Sequence, residues 1–510
     1  MIYWSYESNL LNMKKNVFYL LFSLSVFMGC NRDDFQGGMA ETEITQKDPL
    51  TARQINGKIN ETIKTKGRFS WNESSDHFVW SAIYQGNKIA SIGFGSSFDR
   101  SLEADNKAIE NEILELIRKY EGKTDRIVLS SDPYLNQIDV AIEKQETVIA
   151  LRKMKNIRYL EPADYRYFEN EKQFGATAKS GSSSSGCGFE SATLSTSDYT
   201  TVSPNAKAPW SFAKHNIVNA WSYSTGQGVT IGIIDSGVSP EQTLLGSSFN
   251  NGLSSGRTIS KNGVYVDSAW PWSTGYDGSA DKCGHGTSMA SAAAAPRNNL
   301  GQPVGVAYNA NLVTYRAASN VVLDGYHEQN GVKIAFTELG NNTNVKIISM
   351  SMGHIFSVGK IEDGVKYAYS KGKLIFCAGG TSTSFTNFVG VIFPAWMPEA
   401  QAITGVKENT ANQKCEVCHS GAEIDFTYQM ERASGSNIPV LSYYNAQTDY
   451  VGGSSVATAS TAGIAALVWA KNPSWTRDQV LNKMRQSSTY YPTPNSDYGY
   501  GNINVLQAVQ

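Results

Sequence analysis

Apolar positions repeat with two different periods in different parts of this chain. Within residues 51–168, apolar residues recur every three to four positions over 101–122, which predicts an amphipathic helix ending at Gly122. The remaining pattern of that region predicts a hairpin over 77–94 turning at Gly86-Asn87, strands over 137–143 and 157–162, and a short helix over 146–156. Together these elements predict a small α+β domain.

From about residue 210 onward, continuous apolar runs bounded by glycines alternate with helical segments. The predicted strands lie at 228–235, 310–317, 345–351, 373–379 and 402–406, and one of the intervening helices covers 361–372. Apolar strands that alternate with helices indicate an α/β fold with a doubly wound parallel sheet covered on both faces. In such sheets ligands bind at the carboxyl ends of the strands, so we expect the chemistry there.

The N-terminus has the layout of an export signal. Met13 is followed by two lysines and an apolar run over 17–29, which is too short to span a bilayer as a helix. The run ends immediately before Cys30 in a sequence that resembles a bacterial lipoprotein cleavage box. This predicts an exported cell-envelope lipoprotein, at the outer membrane or cell surface, anchored to the membrane through a lipid on Cys30. The alternative is a plain signal peptide with an incidental cysteine.

A Ser/Gly-rich segment over 179–188 separates the small domain from the larger one. The predicted boundaries are a signal peptide at 1–29, a tether at 30–50, the α+β domain at 51–168, a linker at 169–209 and the large α/β domain at 210–510.

Composition excludes one class of partner and leaves the cysteine pairing open. Among the 510 residues, 44 Lys and Arg nearly balance 46 Asp and Glu, so no nucleic-acid partner is expected. Cys377 lies in an apolar run and is predicted to be buried. The remaining cysteines besides Cys30 could form two disulfides in any of three pairings, and they are Cys187, Cys283, Cys415 and Cys418.

Three short motifs carry the candidate chemistry. Asp235 ends an apolar strand, His285 stands between two glycines at the start of an Ala-rich helix, and Ser455 follows Gly453-Ser454 before a long run of small apolar residues. Taken singly, each residue has a structural interpretation: Asp235 as a turn former, His285 as a structural histidine and Ser455 as a helix cap. Together they supply an orienting carboxylate, a general base and a nucleophile.

The three motifs resemble those of the subtilisin-like serine peptidases, the subtilases, whose signatures are D-[ST]-G, H-G-T-x-x-A and G-T-S-x-[AM]-x-P. The resemblance extends over about 300 residues, from 215 to the C-terminal region. It implies a subtilisin-like sheet and a serine endopeptidase in which Ser455 attacks the peptide carbonyl, His285 transfers the proton and Asp235 orients His285. Proteins or peptides are the implied substrates. No cofactor is expected for catalysis; family members often carry structural calcium, but no ligand cluster here is specific enough to assign it.

One position departs from the subtilase pattern at the oxyanion hole, where the family uses an asparagine side chain. In register, Thr381 takes that place. We hypothesise that its hydroxyl replaces the amide donor, beside the backbone N–H of Ser455. The alternative is a catalytically weak subtilase fold that serves as a surface binding module. Ser454 for threonine and Ala459 for proline are smaller departures.

The resemblance also implies a substrate-binding surface. The strand over 348–353 should pair with the substrate backbone, and together with the segment after the next strand it should line the S1 pocket. No acidic residue stands out there, so an apolar or broad P1 preference is expected. The implied substrate-binding residues are Ser351, Met352, Gly353, Ala378, Gly379 and Gly380.

Residues 139–165 resemble the end of a subtilase propeptide, a small α+β domain that assists folding and inhibits the active site. The domain at 51–168 is therefore expected to act as an intramolecular inhibitor. Cleavage between about 170 and 209 would separate the catalytic domain from the lipid on Cys30 and release the mature form.

Three competing motifs are less convincing. The run "CEVCH" at 415–419 matches a c-type haem attachment pattern, but a disulfide explains its cysteines better. His327 begins an H-E pair without the second histidine of a zinc peptidase motif. An α/β-hydrolase would need its serine before the acid and the histidine, whereas Ser455 comes last.

Overall fold

Separate apolar cores organise the two predicted domains. The computed structural model of the protein describes residues 48–95, 102–122, 126–173, 187–381 and 389–510. The predicted signal peptide, Cys30 and most of the predicted tether lie outside the described residues. Within the described ranges, one core lies mainly in the N-terminal region and includes Ile355, Phe356 and Val389 of the large region, and two cores cover opposite faces of a large sheet.

The N-terminal region is an antiparallel sheet with helices packed on it, in strand order β2-β3-β1-β4. The predicted helix that ends at Gly122 is confirmed, because Gly122 takes the left-handed conformation that closes it. The elements are α1 (Ala52–Lys66), α2 (Asp76–Gln85), β1 (Ile89–Phe94), α3 (Glu103–Glu121), β2 (Val128–Asp132), β3 (Gln137–Ala141), α4 (Gln145–Arg152), β4 (Ile157–Pro162) and α5 (Tyr167–Gln173).

The predicted hairpin around Gly86-Asn87 is wrong, because its first arm is the helix α2. The side chain of Ser75 accepts a hydrogen bond from the backbone N–H of Phe78 and so caps the start of this helix. Its apolar residues are buried on more than one face, and a short helix buried in this way has the same sequence pattern as a buried strand. Only the second arm, β1, is a strand.

The large region has the predicted α/β architecture. Its seven-stranded sheet is parallel throughout, in the order β13-β12-β11-β10-β7-β9-β8, with helices on both faces. Its elements are β5 (Tyr199–Val202), β6 (Ala206–Pro209), α6 (Trp210–Lys214), α7 (Ile217–Ala220), β7 (Thr230–Asp235), β8 (Ile259–Gly263), α8 (His285–Ala294), β9 (Asn311–Arg316), α9 (Tyr326–Asn341), β10 (Val345–Met350), α10 (Gly359–Ser370), β11 (Leu374–Ala378), β12 (Ala400–Lys407), β13 (Ile424–Glu431), β14 (Ile438–Leu441), β15 (Thr448–Val451), α11 (Gly453–Lys471), α12 (Arg477–Gln486) and α13 (Val505–Val509).

Helix α11 forms the centre of the large core. Almost all of its residues are buried, and among the described residues it is the one helix long and apolar enough to cross a bilayer. Its small residues permit close packing: a Cβ atom added to Gly463 would lie 2.7 Å from Cβ of Val306 and 2.9 Å from the carbonyl oxygen of Ala293. The helix is therefore fixed against α8, the helix that begins at His285.

The described cysteines fit one of the three pairings that the sequence leaves open. The sulfur atoms of Cys187 and Cys283 are 2.09 Å apart, and those of Cys415 and Cys418 are 1.99 Å apart. Cys377 is buried without a partner, as predicted. The pair at Cys415 and Cys418 uses both cysteines of the haem-like motif.

We predict that non-reducing peptide mapping of the purified protein recovers Cys187 linked to Cys283 and Cys415 linked to Cys418. Cys377 should react with a thiol reagent only after denaturation, because burial excludes the reagent and raises the pKa of its thiol. A Cys377→Ser variant serves as the control for the labelled peptide. Recovery of Cys187 linked to Cys415 or Cys418 would contradict the pairing.

Candidate active site

The predicted catalytic and substrate-binding segments meet at one edge of the parallel sheet. Asp235 is the last residue of β7, Ser351 follows β10, and Thr381 lies just beyond β11. These strands are neighbours and parallel, so their carboxyl ends lie side by side.

Asp235 and His285 form a buried hydrogen-bonded pair. Nδ1 of His285 lies 2.8 Å from Oδ1 of Asp235, and both side chains are more than nine-tenths buried. Gly286 makes this approach possible: a Cβ atom there would lie 2.2 Å from the carbonyl oxygen of Gly237 and 3.2 Å from Cβ of Asp235. The glycine in the motif therefore allows the start of α8 to contact the loop after β7.

A second buried carboxylate, that of Asp281, fixes the two catalytic segments to each other. One of its oxygens accepts hydrogen bonds from the hydroxyl of Ser236 and from the backbone N–H of Cys283 and Gly284. The other accepts two hydrogen bonds from Thr287, and the hydroxyl of Ser236 in turn accepts one from the N–H of Gly286. Sequence reasoning missed Asp281, although an acid four residues before His285 was a visible signal.

The electrostatic surroundings favour protonation of His285. Burial acts to lower the pKa of its ring, since an imidazolium is poorly solvated there. The charge of Asp235, its hydrogen bond and the charge of Asp281 together outweigh burial, so the pKa of His285 lies above its ordinary value of 6.5.

Ser455 lies in the first turn of α11, at the same edge of the sheet. Its backbone carbonyl accepts a hydrogen bond of 3.1 Å from the hydroxyl of Ser351, the residue after β10. Because β10 is the neighbour of β7 and α11 packs against α8, this bond places Ser455 beside the segments that carry Asp235 and His285. The side chain of Ser455 is half-buried.

A cavity of about 70 Å³ opens beside Ser455. Its lining is mostly apolar and includes Ser351, Met352, Gly353, Ala378 and Gly380 from the predicted substrate-binding set. Gly379 is not among the lining residues: it packs toward the sheet, where an added Cβ atom would lie 2.7 Å from Ile424. No Asp, Glu, Lys or Arg lines this cavity among the described residues. The described residues also contain no cluster of three or more His, Cys, Asp and Glu side chains suited to a metal ion.

Comparison with known proteins identifies the family to which this chain belongs. A sequence model of the subtilase family matches residues 226–501, more than half of the chain. The chain belongs to the subtilase family. Subtilisin E of Bacillus subtilis (strain 168) is 30% identical over 293 residues, which cover 56% of this chain and 67% of that protein. Subtilisin BL of Lederbergia lenta is 28% identical over 306 residues, which cover 59% of this chain and 98% of that protein.

A solved structure shares the fold over a longer span. The epidermin leader peptide processing serine protease from Staphylococcus aureus superposes with a TM-score of 0.56 at 16% identity, over 82% of this chain and 97% of that one. The subtilase relatives identify the protein as a serine-type endopeptidase, a hydrolase.

Thr381, the residue predicted to serve the oxyanion hole, contacts the residue before the candidate nucleophile. Its hydroxyl oxygen accepts a hydrogen bond of 3.2 Å from the N–H of Ser454 and lies 3.1 Å from the hydroxyl of Ser454. The hydroxyl of Ser454 also accepts one from the N–H of Gly380. Thr381 and Ser454 line the cavity together with Ser455, so Ser454 is a second polar residue of the site, which the sequence showed only as a conservative replacement.

The N-terminal region of this subtilase docks on α9 and α10 through its acidic residues. The carboxylate of Glu161 accepts a hydrogen bond of 2.7 Å from the N–H of Gly359 at the start of α10, and that of Asp164 accepts one of 2.9 Å from the N–H of Tyr326 at the start of α9. The first N–H groups of a helix have no acceptor within the helix, and these carboxyl oxygens supply one. The ion pairs of this interface are Asp139 with Lys360, Asp132 with Lys333 and Asp363 with Arg158.

We predict that Asp235→Asn lowers kcat of the mature subtilase by about 10⁴, the loss known for the matching substitution in another serine protease. In the wild type, activity should fall as the pH drops through a value above 6.5, if His285 is the general base, because a general base must be neutral. In the variant this acidic limb should move to lower pH, since burial then dominates the pKa of His285. The measurement is the pH profile of kcat/KM.

Asp478→Asn, which removes an exposed carboxylate on α12, is the matched control and should leave the profile unchanged. An acidic limb that stays in place in Asp235→Asn would contradict the coupling between Asp235 and His285.

Proposed function

We propose that this subtilase is an exported endopeptidase that cleaves peptide bonds with a triad of Asp235, His285 and Ser455 through an acyl-enzyme. The observation that carries the proposal is the buried 2.8 Å hydrogen bond between Asp235 and His285, at the sheet edge where the helix that contains Ser455 begins. This arrangement supplies the orienting carboxylate and the base that activation of a serine requires.

The steps follow from the positions of these groups. Nδ1 of His285 is occupied by Asp235, which leaves Nε2 to take the proton of Ser455 as its oxygen attacks the substrate carbonyl. The imidazolium that forms is stabilised by the charges of Asp235 and Asp281. His285 then gives the proton to the leaving amine, and a water molecule activated in the same way hydrolyses the acyl-enzyme.

The proposed oxyanion donors are the N–H of Ser455 and one hydroxyl hydrogen from the pair of Thr381 and Ser454. These two hydroxyls share a single hydrogen bond, in which either can donate. Whichever donates, the hydrogen of the other stays available for the oxyanion. A hydroxyl pair can therefore take the role that the family gives to one asparagine side chain.

The cavity beside Ser455 suggests the P1 preference. Met352 and Ile392 contribute apolar surface, and the described lining contains no charged group. A lining of this kind suits an apolar side chain, whereas a charged one would lose its hydration without a partner.

We further propose that residues 51–168 form a propeptide that inhibits the catalytic domain in cis, and that the precursor is an exported lipoprotein anchored through Cys30. The docking of Glu161 and Asp164 on the starts of α10 and α9 supports the inhibitory role. Cleavage between about 170 and 209 would release the catalytic domain from the lipid.

A fluorophosphonate probe tests the function, since it reacts with serines activated by a neighbouring base. We predict that the mature protein is labelled and that the modified peptide contains Ser455. Ser455→Ala should abolish labelling, while Ser460→Ala, which removes a hydroxyl from the same helix, should retain it. Absence of labelling in a folded mature protein would favour the alternative function, a surface binding module, which the loss of the family's asparagine at Thr381 suggests.

The hydroxyl pair predicts a graded loss of activity. Thr381→Val and Ser454→Ala should each lower kcat with little change in KM, and the double variant should lose about 10²–10³ in kcat, the cost of removing an oxyanion donor. Hydrolysis of a peptide amide by each mature variant provides the measurement. Unchanged kcat in the double variant would contradict the donor role. Ser460→Ala, which removes a hydroxyl from the same helix outside the cavity, is the control.

A further inference from the structure

The strand expected to pair with the substrate is already paired within the chain. The N–H of Gly353 donates a hydrogen bond of 3.1 Å to the carbonyl of Val321, and the carbonyl of Gly353 accepts one of 3.2 Å from the N–H of Leu323. The next residue, His354, exchanges two backbone hydrogen bonds of 3.0 Å with Phe393. No main-chain group of Gly353 is left for an extended peptide.

The segment that closes this edge packs against the core of the N-terminal region. Val322 packs against that core, which also contains Phe356 from the loop after Gly353. The ring of Phe356 contacts Phe69 and Trp71 of the N-terminal region at centroid distances of 5.4 and 5.6 Å. The closed edge and the N-terminal region therefore share one apolar cluster.

Asp324 connects the same segment directly to α5. Its two carboxylate oxygens accept hydrogen bonds of 2.9 Å, one from the N–H of Phe168 and one from the N–H of Glu169. The ring of Phe168 lies 5.3 Å from that of His354 and lines the cavity beside Ser455. Helix α5 therefore contacts both strands of the closed edge. It contacts the strand of Val321 and Leu323 through Asp324, and the strand of Gly353 through His354.

We propose that α5 is a latch that inhibits the enzyme by holding the substrate-binding edge closed, through Asp324 and Phe168, rather than by lying along that edge as a substrate strand. This inference rests on the proposed function, because it describes the regulation of the same site. When α5 leaves, Asp324 loses both donors and the segment with Val321 and Leu323 is free to separate from Gly353. An extended peptide can then take its place.

The test uses the full chain with Ser455→Ala, so that neither the latch nor a bound peptide is cleaved. In this background the amides of Leu323 and Gly353 should be protected from hydrogen exchange, and a fluorescein-labelled Ala-Ala-Ala-Leu amide should not bind. Adding Asp324→Asn, which keeps the shape but removes one acceptor oxygen, should accelerate exchange at both amides by about tenfold or more, as expected for loss of a charged hydrogen bond. The peptide should then bind.

Phe168→Ala is the second variant, for use if Asp324→Asn does not fold. It should show the same faster exchange and the same peptide binding. Glu169→Ala is the matched control, because it removes an acidic side chain from α5 but keeps the N–H that bonds Asp324. Unchanged exchange in a folded latch variant, faster exchange without peptide binding, or peptide binding to the Ser455→Ala protein itself would each overturn the latch. Failure of fluorophosphonate labelling would instead overturn the proposed function, since exchange and binding here need no catalysis.

Discussion

The hydrogen bond between Asp235 and His285 is the interaction on which the rest of the site depends. It joins the end of a strand to the first residue of a helix, 50 positions apart in sequence, and both side chains are almost completely buried. Two features maintain it: Gly286 lets the backbones approach, and Asp281 bonds to both segments. The sheet provides the remaining constraint, since parallel neighbours bring their carboxyl ends to the same edge.

The docked N-terminal region concentrates acidic groups at this interface. Burial raises the pKa of Glu161 to about 8, with the nearby charges of Glu362 and Asp363 adding to the effect. A carboxyl with a raised pKa stabilises the docked state while it is protonated, and that contribution is lost as the pH rises through about 8. Both side chains of the ion pair between Asp139 and Lys360 are buried. The pair therefore contributes more to where the N-terminal region docks than to the free energy of docking.

The sequence predicted features that depend on local patterns, and not those that depend on tertiary contacts. The parallel sheet and the helix ending at Gly122 follow from periodicity and capping, and the motifs around Asp235 and His285 mark the residues that the structure joins. The apolar run at α2 led to the wrong prediction of a strand, because a short buried helix and a buried strand have the same apolar pattern. The cysteine pairing, the role of Asp281 and the pairing of Gly353 with Val321 require distances between residues far apart in sequence, which periodicity does not contain.

A crystal structure of the mature protein with a phosphonate bound to Ser455 would show whether the three side chains form one catalytic site. We expect that Nδ1 of His285 still bonds Asp235, that Nε2 lies within about 2.6–3.2 Å of the phosphonate or of the Ser455 oxygen, and that a phosphonyl oxygen faces the hydroxyls of Thr381 and Ser454. An imidazole of His285 beyond hydrogen-bond reach of both Ser455 and Asp235 would contradict it.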